Sequence, residues 1–262
     1  MLAGCTSEFN TVLKSADNTY KYEYAKQCFA TGKFSNAVTL LSELVTIQKG
    51  RNNAQESLYM LAMAQYCNRD YEAASATFKK FYQSYPKGEY AEQAAFYIGQ
   101  SLYQNMPDPR LDQSSTIGAI NSHQTFLDFY PDSPLRETAQ KRLFELQDNL
   151  VMKEYLSAEL YYNLGDYFGN INSNTESNYE SCIITAQNAL KQYPFSSMRE
   201  KFSLLIMKSK YELAENSSEE RRVERYREAE DECYAFMTEF PESAECKLAE
   251  KLIAKCKKIT GD

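Results

Sequence analysis

The sequence predicts an all-α protein: a right-handed superhelix (α-solenoid) of about five helix pairs plus a C-terminal capping helix. Three observations lead there. An aromatic run closing on Tyr-Pro or Phe-Pro recurs as FYQSYP, FLDFYP, ALKQYP and FMTEFP, with prolines at 86, 131, 194 and 241. Twelve residues before each proline stands a small side chain (Ala74, Ala119, Cys182 and Ala229), and three residues earlier stand Tyr71, Thr116, Tyr179 and Tyr226. Fixed internal spacing of this kind marks a repeat architecture. Finally, 9 glycines and 7 prolines in 262 residues are too few turn formers for an all-β chain, so the repeating unit is helical.

Taken in order, the chain begins with Leu2-Ala3-Gly4-Cys5, which resembles a bacterial lipobox, the site at which a signal peptide is cut before a cysteine that is then acylated. The charged and apolar regions of a signal peptide are missing ahead of it. Residues 1–18 are read as lipobox and polar tether. Tyr20, Tyr24, Cys28 and Phe29 then recur at helical spacing until Thr31-Gly32 breaks the helix. Phe34, Ala37, Leu40, Leu41 and Leu44 stripe a second helix, ended by the loop KGRNN. Helix pairs are expected near 19–48, 54–85, 90–130, 151–193 and 198–240, with a capping helix over 244–259 carrying Leu248, Leu252 and Ile253. Between Pro131 and Gly165 lie about twenty residues more than a plain repeat of this spacing needs. Leu143, Leu146, Leu150 and Leu160 make that stretch a long helix or an added one, dividing the chain into two halves, residues 19–130 and 131–262.

A second alignment refines the unit. Ala25 and Ala62 precede Ala37 and Ala74 by twelve residues, and Gly99 and Gly165 take the same place in repeats three and four, displaced by loop insertions. Small at position eight, small at position twenty and proline at position thirty-two resemble the tetratricopeptide repeat. Two antiparallel helices approach closely only where the facing residues are small. The proline ends the second helix because its ring cannot continue the hydrogen-bond ladder.

Composition narrows the function. The net charge of −7 is spread without a basic cluster, so no nucleic acid partner is expected. No stretch approaches the ~20 apolar residues that span a bilayer, which leaves the lipid on Cys5 as the expected membrane contact. Seven cysteines without CxxC spacing and a single histidine give no metal site, and no cofactor is expected. His123 sits four residues after Ala119, in line with Leu41, Phe78, Ala186 and Cys233. That register makes it a packing residue rather than a general base, and it places Cys182 and Cys233 among small hydrophobes. Cys28 and Cys67 fall near the ends of first helices in adjacent repeats, but spacing cannot decide whether they bond. The charged run EERRVERYREAEDE reads as the solvated face of the last repeat's second helix.

The first helices carry the candidate binding residues. With the small residue at position eight, positions five and twelve face a concave groove. Position five holds Tyr22, Tyr59, Phe96 and Tyr162; position twelve holds Phe29, Tyr66 and Tyr103. Tyrosine suits a groove because its ring supplies contact area while its hydroxyl seeks a partner. Packing between adjacent first helices is the competing reading, equally weighted at position five. An extended or helical peptide rich in aromatics would fit such a ladder.

A lipobox cysteine followed by such repeats, and above all the segment YPDSPLRETAQKRLFELQDNLVMKEYLSAELYY at 130–162, resembles the BamD family of outer-membrane lipoproteins. Arg142-Leu143, Leu150, Glu154, Ala158, Tyr161 and Tyr162 carry the likeness. The resemblance implies a non-enzymatic scaffold on the periplasmic face of the bacterial outer membrane, lipid-anchored through Cys5. Its implied partners are unfolded outer-membrane proteins, a BamA-like barrel protein with POTRA domains, and the other subunits of that assembly complex. Two further classes stay open. A periplasmic scaffold coordinating envelope constriction would usually carry an N-terminal coiled coil, and no heptad run is present. A SusD-like glycan-binding lipoprotein would be longer and rich in Trp, and this chain has none.

Overall fold

A computed structural model describes residues 3–47, 50, 53–165 and 177–261, with backbone alone up to Ser7. Among the described residues the chain is helical throughout, with no strand. The helices are α1 (Ala3–Lys14), α2 (Asn18–Ala30), α3 (Phe34–Ile47), α4 (Ala54–Cys67), α5 (Tyr71–Ser84), α6 (Ala91–Gln104), α7 (Ser114–Phe129), α8 (Arg136–Leu164), α9 (Asn178–Gln192), α10 (Arg199–Glu215), α11 (Glu219–Glu239) and α12 (Cys246–Thr260). Two compact units result, Met1–Gln147 and Asp148–Asp262. In the first unit each helix from α1 to α7 packs on its neighbour in sequence, and in the second α9 to α12 do the same.

The Tyr-Pro stops are one structure used repeatedly. Tyr85, Tyr130, Tyr193 and Phe240 end α5, α7, α9 and α11 with φ between −136° and −126° and ψ between 60° and 64°. The following proline bars these residues from helical angles. Each still donates its N–H to the carbonyl four residues back at 2.8–2.9 Å. Ser133, Ser196 and Ser243 then turn the chain, their hydroxyls accepting from the backbone N–H of Leu135, Met198 and Glu245 at 3.0–3.1 Å. Two hydroxyls also tie back to the preceding first helix, Ser133 to Glu92 and Ser243 to Glu200.

Repeat packing follows the small positions. Ala25, Ala37, Ala62, Ala74, Ala119, Cys182 and Ala229 are fully buried, as are Leu41, Phe78, His123, Ala186 and Cys233 one turn further along the second helices. Burial pushes the Cys233 thiol up to about 12, so it serves as a small apolar filler. The turn between first and second helix needs a left-handed residue. Gly32 supplies it at φ 74° and, at the same position of the next repeat, Arg69 adopts φ 64°, a conformation a residue with a Cβ takes up only at some cost.

Two expectations are corrected. The stretch read as a polar tether is helix α1, because Phe9, Val12 and Leu13 lie on one face and pack on the core of the first repeat, Val12 being fully buried. Gly165 is not the small packing residue of repeat four. It follows the end of α8 at φ 49°, donating its N–H to the carbonyl of Tyr161. The buried small residue of that repeat is Ala158, in one cluster with Cys182 and Ala186. The inserted segment is one continuous helix, α8. Its N-terminal part lends Ala139 to the core around Phe96 and Phe126, and its C-terminal part lends Val151 and Ala158 to a core of the second unit.

Candidate functional site

With Ala158 at position eight, Tyr162 moves from position five to position twelve and joins Phe29, Tyr66 and Tyr103. These rings share a local geometry. Phe29 meets Phe34, Tyr66 meets Tyr71 and Tyr162 meets Tyr179 edge to face, with centroids 5.5–6.0 Å apart. Tyr211 and Tyr226 repeat the pair at 6.0 Å in the last repeat. In the first three pairs the last turn of a first helix leans on the first turn of the second, whereas Tyr226 lies further along α11; the edge-to-face arrangement suits ring quadrupoles. The rings at 29, 66 and 162 stay half-buried. The Tyr66 hydroxyl accepts from the side-chain amides of Gln100 and Gln104 at 3.5 and 3.4 Å.

Position five behaves differently. Tyr22 is 3% exposed and Phe96 5%, so neither offers a face to a ligand. Burial, followed by the nearby Glu56 carboxylate, holds the Tyr22 phenol well above its usual range. Phe96 packs edge on against Phe126 and the His123 ring. Tyr59 is half-buried and stacks on Tyr90 at 4.5 Å while its edges meet Phe78 and Phe81. Burial pushes its phenol up to about 12. Of the predicted ladder, the position-twelve rings keep the most open surface. Cys5 falls within α1, its side chain outside the described residues.

Repeat three breaks the pattern. Its position seventeen is Thr116, buried and bonded to Gln113, so Tyr103 has no ring to lean on. Its hydroxyl donates to Glu145 at 2.7 Å and accepts from Arg142 at 2.9 Å, while the Arg142 guanidinium lies 4.3 Å from the ring centroid. Arg142 also reaches Glu145 at 2.8 Å. The hydrogen bond from Tyr103, aided by Arg142, holds the Glu145 carboxyl below its usual range. Beside this triad His123 is fully buried with neither ring nitrogen hydrogen-bonded. Burial, and then the Arg142 charge, lower it to about 4. Gly99 lies opposite, where an added Cβ would meet the imidazole at 3.0 Å and the ring would have to give way.

On the side of the second helices, α5 and α7 flank an apolar cleft of about 450 Å³ floored by Ala95, Ile98 and Leu102 of α6. None of the predicted ladder residues lines it. Tyr82 and Tyr130 close one end, their hydroxyls 3.4 Å apart, and Phe129 stands 71% exposed at the rim. A signal for it exists in the sequence: two residues before the proline the other copies have Ser84, Gln192 and Glu239, and only repeat three has a phenylalanine. A second, charged cleft between α9, α10 and α11 contains Glu180, Arg225, Arg221 and Glu228. Its Arg225 is already bound to Glu180 at 2.7 Å.

Among the described residues no group of three His, Cys, Asp or Glu side chains converges to hold a metal. No helix there is long and apolar enough to cross a membrane. The cysteines at 28, 67, 182, 233, 246 and 256 are free.

Comparison with known proteins completes the picture. A search of curated proteins returned no match. Among solved structures, TPR-like repeats of a kinesin light chain from Podospora anserina are 13% identical, covering 85% of this chain and 95% of that one, with a TM-score of 0.34. The TPR2AB domain of yeast Sti1, in its pHSP90 complex, is 13% identical over 92% of this chain and 98% of that one, with a TM-score of 0.38. At those scores neither bears on function. The family profile described as YfiO, outer membrane lipoprotein, matches residues 14–175. That span takes in the first three repeats, the Tyr103–Arg142–Glu145 triad and the whole of α8. By a match covering more than half its length, the chain belongs to the YfiO family of outer membrane lipoproteins, the BamD family.

Proposed function

We propose that this protein is a lipid-anchored, non-catalytic adaptor of the machinery that assembles β-barrel proteins in the bacterial outer membrane. The observation that carries the reading is the family match over residues 14–175. It is supported by a helical-repeat scaffold whose position-twelve rings stay partly open. In this reading Cys5, which precedes the matched residues, bears the lipid and holds the chain on the periplasmic face. Residues 19–130 engage unfolded outer-membrane proteins, and residues 131–262 dock to a BamA-like barrel subunit through its POTRA domains.

Phe29, Tyr66 and Tyr103 are the ladder residues best placed for client contact in the N-terminal half, and Tyr162 belongs to the docking half. Tyr59 contributes its remaining open surface, whereas Tyr22 and Phe96 act through packing. Weak aromatic contacts suit reversible hand-over, since each ring adds contact area at little entropic cost.

Affinity purification of the tagged protein from solubilised outer membranes tests the reading. Recovery of a large POTRA-bearing barrel protein is the expected result. Recovery of a peptidoglycan synthase in its place would overturn it.

A further inference from the structure

We infer that the solvent face of the capping helix α12 is a docking surface for anionic phospholipid headgroups. Its sequence, CKLAEKLIAKCKKIT, holds five lysines, one glutamate and no arginine, on a chain whose net charge is −7. With 3.6 residues per turn, Lys247, Lys251, Lys255 and Lys258 fall within an arc of about 80° and form one stripe. All four are exposed. The opposite side, Ala249, Leu252, Ile253 and Cys256, is buried in the core of the last repeat, which fixes the stripe outward. One lysine every three or four residues does not read as a basic run along the chain, and only the helix gathers them.

Helix stability does not account for the stripe. Lys257 and Lys258 suit the last turn, where the carbonyl end of a helix favours cations, but Lys247 stands in the first turn, where a cation is unfavourable. Lys247 and Lys251, and again Lys251 and Lys255, are like charges four residues apart, which weakens a helix further. Little within the fold offsets this. Lys257, off the stripe, reaches Glu230 at 3.8 Å, and Lys255 leans on the Tyr211 ring at 5.3 Å. Lys247, Lys251 and Lys258 make no ion pair among the described residues.

The use of lysine selects the occupant. Protein interfaces favour arginine, whose planar fork docks carboxylates in pairs, and are poor in lysine. Flexible, hydrated ammonium groups suit a field of mobile phosphates that has no fixed geometry. Membership of an outer membrane lipoprotein family brings the chain to such a surface. The apolar face of α12 is taken up by the core, so the helix lies against headgroups without entering the acyl region. This contact goes beyond the adaptor reading and needs none of the ladder residues.

Co-sedimentation with vesicles tests it, using the full chain with Cys5→Ser to exclude an acyl anchor. Partitioning onto phosphatidylethanolamine–phosphatidylglycerol vesicles should exceed that onto phosphatidylcholine vesicles by about tenfold or more. Raising the salt to about 0.5 M should abolish the difference by screening. Lys247→Gln, Lys251→Gln and Lys258→Gln should each weaken binding about fivefold, equivalent to ~1 kcal/mol. Replacing Lys79, Lys80 and Lys87, exposed in the N-terminal unit, by Gln together removes as many charges and should change little. Amine acetylation read by mass spectrometry needs no lysine variant. Anionic vesicles should shield Lys247, Lys251 and Lys258 and leave Lys79, Lys80 and Lys87 as reactive as in buffer.

Equal partitioning onto both kinds of vesicle would overturn the inference, as would stripe lysines left unshielded or failure to bind anionic vesicles. Retention on immobilised polyglutamate without retention on vesicles would overturn it in favour of an acidic protein. Vesicle binding through the stripe, together with failure to recover a barrel protein from membranes, would sink the assembly reading and leave the headgroup contact standing.

Discussion

Repeats two and three share one scaffold, and four of their differences set them apart. Position eight is Ala62 in one and Gly99 in the other; position seventeen is Tyr71 against Thr116. Position twenty-four is Phe78 against His123, and the residue two before the proline is Ser84 against Phe129. Repeat two is sealed by rings, Tyr66 on Tyr71 and Phe78 stacked on Tyr97 at 5.3 Å. Repeat three exchanges those contacts for a buried imidazole, a Tyr–Arg–Glu triad and an open cleft. The exchanges belong together: glycine makes room for the imidazole, and loss of the ring at position seventeen frees Tyr103 for Arg142. One repeat is closed by rings, and the next carries a polar triad, an imidazole without a hydrogen bond and an exposed ring.

Ring truncation should separate the two most. Phe78→Ala removes a fully buried side chain and is expected to cost about 3–5 kcal/mol, read as a lowered urea midpoint. A loss as small as that of an exposed residue would show that repeat two does not depend on its rings.

Next comes acid sensitivity. The His123 value of about 4 lies below the ~6.5 of a free imidazole, so the unfolded chain takes up the proton first. Stability from this source is complete above ~6.5 and is lost as the pH falls toward 4, by up to about 3 kcal/mol. Urea midpoints measured at pH 7 and 4.5 should diverge in the wild type and converge in His123→Leu, which takes the residue of Leu41 at this position. An undiminished pH effect in the variant would assign the acid loss to other groups.

The smallest effect concerns hydroxyls. Tyr103→Phe breaks bonds to two charged groups and should cost about 1–2 kcal/mol, whereas Tyr66→Phe loses only long amide contacts and should be close to neutral. Equal costs, measured by thermal melting, would erase the distinction between the triad and the plain ring pair.

Much of this scaffold is legible in the chain because a proline that must end a helix also numbers everything before it. Helix bounds, the buried small residues and the packing role of His123 all follow from that ruler. It fails where spacing carries no information. The spacing from α8 to Cys182 departs from that of a plain repeat, so Gly165, conspicuous as a small residue, displaced Ala158 in the register. In α1, three apolar residues among polar neighbours look like a tether until a surface is there to receive them. Facing direction was the largest gap, since the cleft depends on which small residues of α5 and α7 come opposite each other.

Helix α1 has a mechanical consequence. Seven residues separate Cys5 from Val12, whose side chain is locked into the first repeat. At ~1.5 Å per residue of helix the two Cα atoms lie about 10 Å apart along the axis. With the proposed lipid on Cys5, the anchor would reach the N-terminal unit through a short strut instead of a leash.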